Sequence, residues 1–118
     1  MSKYTTLFYK KENGEEPVKD FLVSLDNKMR AKMIRMLVLL QKNGPALRMP
    51  YSEELDDGIF ELRAKVGTDI TRVLYFFDKD QIVILTNGFV KKTQKTPAQE
   101  IVTAKNYRAD YLSRKEHA

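Results

Sequence analysis

The chain has no cysteine and no tryptophan, and its one histidine is His117. Without cysteine there is no disulfide framework and no thiolate metal site. With that single histidine at position 117, a two-histidine ribonuclease centre, a Ser-His-Asp triad and a histidine metal cluster are excluded. The five glycines are scattered, so no Gly-rich phosphate loop exists. No stretch approaches the roughly 20 apolar residues that cross a bilayer. Met1-Ser2-Lys3-Tyr4 lacks the apolar core of a signal peptide. The expectation is a soluble, cytoplasmic protein. The 118 residues, 42% hydrophobic, fit one domain over 1–118 with one core.

Acid is missing from a long stretch. Between Asn27 and Pro50 there are six cations (Lys28, Arg30, Lys32, Arg35, Lys42, Arg48) and no carboxylate. From Lys91 onward seven cations face three acids, while the acids gather in Glu12 to Asp26 and in Glu53 to Asp57. With a net charge of +5, such basic stretches attract polyanions or acidic partners, or simply form a solvated face.

The pattern of residues predicts the order β-α-α-β-β-β-α, an α+β domain with a helical hairpin and a C-terminal helix on a mainly antiparallel sheet. Thr5 to Tyr9 is β-branched and aromatic, a first strand. Pro17 opens a helix whose stripe is Val18, Phe21, Leu22 and Leu25. Asp26 or Asn27 caps a second helix, with Met29, Met33, Met36, Leu37 and Leu40 on one face and Lys28, Lys32, Arg35 and Lys42 opposite. The Met stripe reads as packing. Gly44-Pro45 ends that helix. Residues 46 to 58 read as a loop, since Pro50 and the acidic patch do not suit a strand. Three strands follow, turning at Gly67-Thr68-Asp69 and at Asp78 to Gln81. Thr96-Pro97-Ala98-Gln99 starts the last helix, on which Ile101, Ala104, Arg108 and Tyr111 share a stripe. Beyond Leu112 the chain is polar and is expected to fray.

Cations on strands are the chemical signal. An unpaired buried charge costs several kcal/mol, so packed strands usually exclude them. Arg63 and Arg72 are expected near each other on paired strands, with their shared face left open by the register. Arg offers a rigid fork to two phosphate oxygens and stabilises charge that grows in a transition state. A lysine whose pKa is lowered by crowding, as among Lys91, Lys92 and Lys95, can take a proton from a ribose 2′-OH. Arg63 could equally pair with an acid of the 53–57 patch, and Arg72 could bond a backbone carbonyl at a rim. Tyr75 reads as a core aromatic, and Arg108 as an anchor of the last helix on the sheet. The paired acids lack calcium-loop spacing.

Three runs carry a resemblance: Gly58-Ile59-Phe60-Glu61-Leu62-Arg63, Arg72-Val73-Leu74-Tyr75-Phe76, and Gly88-Phe89-Val90-Lys91-Lys92-Thr93-Gln94-Lys95-Thr96-Pro97. Together they resemble the HigB-type, phage-derived branch of the RelE/ParE toxin superfamily. The resemblance implies the toxin of a type II toxin–antitoxin system, a metal-independent endoribonuclease that cleaves mRNA on the ribosome and needs no cofactor. Carried over by position, the catalytic residues would be Arg63, Arg72, Lys91 and Lys92. Lys95 and Thr93 would bind RNA, joined by Lys32 and Arg35 of the basic helix. The implied partners are mRNA, the ribosome and a HigA-like helix-turn-helix antitoxin, with no membrane. Relatives with active-site histidines have no counterpart here. A ParE-like inhibitor of DNA gyrase on the same fold, and a plain nucleic-acid-binding module, stay open as alternatives.

Overall fold

A computed structural model of the chain describes residues 3–90 and 95–116. Five strands form one sheet in the order β1-β5-β4-β3-β2. They are β1 (Thr5–Phe8), β2 (Ser52–Asp56), β3 (Ile59–Val66), β4 (Asp69–Asp78) and β5 (Ile82–Val90). β1 runs parallel to β5 and every other pairing is antiparallel. Helices α1 (Pro17–Ser24) and α2 (Asn27–Asn43) cover one face, and α3 (Ala98–Glu116) covers part of the other. The α+β class and the helical hairpin are as the sequence predicts.

Residues 46–58 differ from expectation. They hold the edge strand β2, so the order gains a strand. Its acids Glu53 and Glu54 are exposed along the edge, where charge is tolerated and discourages sheet-to-sheet pairing. Pro50 lies just before the strand and breaks no ladder bond. The strand is held by a two-residue turn at Asp57 and Gly58, with φ of 49° and 78°. Asp-Gly suits this turn, because both positions need left-handed backbone.

The α2 end is as its residues dictate. Asp26 accepts a hydrogen bond from the Met29 amide at 2.8 Å and caps the helix. Gly44 follows the last turn at φ 52°, and a Cβ there would collide with the Tyr4 ring. The Arg30 side chain bonds the carbonyls of Leu22, Val23 and Leu25, which ties α1 to α2. The core under the hairpin is built from Val18, Leu22, the stripe Met29, Met33, Met36, Leu37 and Leu40, and the sheet residues Leu62, Val73, Tyr75, Val83 and Leu85. Burying one such side chain fully contributes about 1.5–3 kcal/mol. Tyr75 sits in this core with its hydroxyl against Ser52, and burial pushes its pKa up to about 12.

A β-bulge at Thr86 reverses the alternation of β5. Leu74 pairs with Asn87 and Tyr75 with Leu85, so Thr86 has no partner residue. Its hydroxyl donates instead to the Leu74 carbonyl and to the Asn87 side chain. Before the bulge, Val83 and Leu85 face the hairpin; after it, Gly88 does, backed closely by Phe21 of α1. Asn87 and Phe89 turn to the other side, where Asn87 bonds Glu100 of α3.

Among the described residues α3 continues past Leu112 to Glu116 and is bonded to the sheet at several points. Arg108 donates to the Asp57 carbonyl and carboxylate, fastening the helix to the β2–β3 turn. The Tyr9 hydroxyl bonds Asp110, which also holds Arg114 at 2.7 Å. The Tyr111 hydroxyl and Lys115 both donate to Asp78 at 2.7 Å. Burial, and then the neighbouring carboxylates, push Tyr9 and Tyr111 up to about 12. Burial works against the Asp78 charge, yet the bonds from Lys115 and Tyr111 outweigh it and lower its pKa.

Candidate functional site

The strand arginines gather at the end of the sheet face where α3 begins. Arg63 and Arg72 are direct partners across β3 and β4. Directly opposed residues project from the same face of an antiparallel pair, so the register brings the two guanidinium groups together. Between them stands Glu61, two residues before Arg63 on the same face and wholly buried. Its carboxylate accepts from Arg63 Nε at 3.0 Å, from Arg72 and from the Thr96 hydroxyl. Arg72 also donates to Thr96 at 3.2 Å. Two guanidinium charges share this one buried carboxylate, and Thr96 joins the knot to the start of α3.

The two arginines differ in access. Arg72 is 3% exposed, and its Nε is buried with no hydrogen-bond partner among the described residues. It is not the rim residue bonding a backbone carbonyl. Removing it would strand the Glu61 carboxylate, so of the two arginines only Arg63 can be lost with little harm to the fold. Arg63 is partly open and pairs outward with Glu53, an acid of the expected 53–57 patch. That outer pair sits at the surface, where an ion pair contributes about 0–1 kcal/mol. Arg63 can therefore exchange Glu53 for another anion at small cost.

A cleft of about 720 Å³ opens beside the knot. Arg63, Arg72 and Lys65 line it from the sheet, and Lys32 from α2. Arg35 lies further along the exposed side of α2 with Lys28 and Lys42, and none of these three makes an ion pair among the described residues. Lys95 is exposed next to Thr96. Lys91, Lys92 and Thr93 lie outside the described residues, as does His117. Tyr75 faces away from the cleft, into the core. Sequence reasoning missed Glu61 and Thr96 as members of the site. The Glu-x-Arg spacing was the available signal for Glu61, since alternate residues on a strand share a face. Among the described residues no group of acids and histidines is arranged to hold a metal ion. No helix of the described chain is long and apolar enough to cross a membrane.

Three helices on a mixed five-stranded sheet, with a paired-arginine knot beside a cleft lined by cations, define a small α+β protein. A family model described as phage-derived protein Gp49-like matches residues 20–109. The chain belongs to that family, a type II toxin family of the RelE/HigB-like kind. No curated protein matches it significantly.

Proposed function

We propose that this protein is the toxin of a type II toxin–antitoxin pair and cleaves mRNA on the ribosome without a metal ion. The observation that carries the reading is the pairing of Arg63 with Arg72 at the mouth of a cleft lined by cations. In the reaction, a ribose 2′-oxygen attacks the adjacent phosphorus and the bond to the 5′-oxygen of the next nucleotide breaks. A 2′,3′-cyclic phosphate and a 5′-OH end result. Arg63 leaves Glu53 and grips the phosphate, stabilising the charge that grows on its oxygens. Arg72 supports this field from behind Glu61. Lys91 and Lys92 move the protons. Lys95, Thr93, Lys32 and Arg35 hold the flanking RNA, and positioning for in-line attack supplies much of the rate. A HigA-like helix-turn-helix antitoxin neutralises the protein by covering the basic surface.

The test is a reconstituted translation reaction with cleavage mapped on the message. The wild-type protein is expected to cut mRNA only while it is translated. Arg63→Ala is expected to slow cutting roughly 100- to 1000-fold, the usual cost of one transition-state donor, with circular dichroism and melting unchanged. Intact mRNA together with gyrase trapped on DNA would overturn the reading in favour of a ParE-like inhibitor.

A further inference from the structure

The basic cleft has a second wall that phosphate chemistry does not explain. Tyr51 and Met49 line it, 45% and 58% exposed, among the larger exposed apolar side chains of the molecule. Pro50 and Ile70 continue the wall. Among the described residues no carboxylate lines the cleft, and the nearby Glu53 and Glu61 are both held by Arg63. Tyr51 is placed by the sheet: its carbonyl accepts the Arg63 amide at 2.9 Å. This bond extends the register of Ser52 with Leu62 by one residue, so Tyr51 stands opposite Arg63 on the same face. Tyr51, Arg63 and Arg72 thus form a row across three neighbouring chain segments. Strands lie about 4.8 Å apart, so the row spans roughly 10 Å. An aromatic plane at one end and cations at the other match the base and the phosphate of one nucleotide. The volume of about 720 Å³ falls within the roughly 300–1,000 Å³ of small-ligand sites.

We infer that this cleft seats one unpaired RNA base against Tyr51, with its phosphate toward Arg63 and Lys65. The inference rests on the RNA-cleaving reading of the same site and adds to it a nucleobase subsite with Tyr51 as the stacking residue. Stacking on an aromatic face tolerates any base, because every base has a π surface. Tyr51 therefore selects single strand over duplex and does not select sequence. A paired base has both faces occupied by its neighbours and cannot enter.

The experiment titrates the protein into a fluorescein-labelled 2′-O-methyl RNA of mixed sequence, single-stranded or annealed, and reads anisotropy. The blocked 2′-oxygen cannot attack, so binding is measured without cleavage. Tyr51→Ala is expected to weaken single-strand binding roughly 5- to 150-fold, the range found for one base–aromatic stack. Tyr51→Phe is expected to bind like the wild type, since the ring is kept. Tyr51→Leu, which keeps apolar bulk and guards against a local collapse of the wall, is expected to lose affinity like Tyr51→Ala. Duplex binding is expected to be the same for all four proteins. The proposal is overturned if the wild type does not bind the single strand. It is also overturned if Tyr51→Ala and Tyr51→Leu bind it as well as the wild type, if Tyr51→Phe loses affinity with them, or if the losses are equal on duplex. Translation-coupled cleavage by the wild type, run alongside, reports on the nuclease separately. Cleavage with no Tyr51 effect removes the base subsite and leaves the nuclease; a Tyr51 effect with no cleavage does the reverse.

Discussion

Replacing Glu61 by glutamine puts the arginine knot to a quantitative test. The amide keeps the shape of the side chain and can still accept from Thr96, but it removes the negative charge between Arg63 and Arg72. Arg63 retains Glu53 and contact with solvent. Arg72, 3% exposed, has neither. Removing one partner of a buried ion pair costs about 3–5 kcal/mol, because the surviving charge stays desolvated and uncompensated. A domain of 118 residues has a total stability of about 6–18 kcal/mol at roughly 0.05–0.15 kcal/mol per residue. The single change therefore takes a large share. The melting temperature is expected to fall by about 10–20 °C, and the urea midpoint by about 2 M. The discriminating control is Glu61→Leu with Arg72→Met. Removing both buried ions and filling the space with apolar atoms is often neutral or better, so the double variant should recover most of the loss and remain inactive. A Glu61→Gln protein within about 1 kcal/mol of wild type would refute the reasoning, since a loss that small is not that of a stranded buried charge. A double variant no more stable than the single one would refute it too.

Alkaline pH should loosen the fold. Tyr9, Tyr75 and Tyr111 are raised to about 12 from an unfolded value of about 10, so their contribution is complete below pH 10 and is lost as pH rises toward 12; urea titrations from pH 8 to 11.5, with tyrosinate absorbance alongside, would check it. Antitoxin capture should be salt-sensitive in its association rate and much less so in its dissociation rate, and charge reversal at Lys32 and Arg35 should slow association; surface plasmon resonance at several salt concentrations would show an indifferent rate if that helix face is only solvated.

Much of the fold was legible because each element carried its own local chemistry. Pro17, Asp26 and Gly44 mark helix ends by backbone need, and the apolar spacing on α2 names the buried face directly. The missed strand, β2, is legible only from its turn. Its own residues are charged because an edge strand can keep them in water, and the Asp57-Gly58 pair was the cue that outweighs them. The site was half legible. Arg63 and Arg72 stood out as cations within strands, and their pairing followed from the Gly67 turn. That they share one buried carboxylate depended on exact register and on α3 arriving at Thr96, which are long-range facts no local window contains.

The Thr86 bulge makes β5 unequal in what kinds of sequence change it can absorb. A substitution there alters one hydroxyl and its two bonds. A deletion of Thr86 would restore strict alternation and leave every later position on its present side, because Leu85 and Asn87 would then be consecutive opposite Tyr75 and Leu74. Asn87 and Phe89 would stay on the α3 side, and Gly88 would stay against Phe21 of α1. The bulge is thus the point where this strand can lose one residue without moving any later side chain to the other layer, the loss being the Thr86 hydroxyl and its bonding to Leu74 and Asn87.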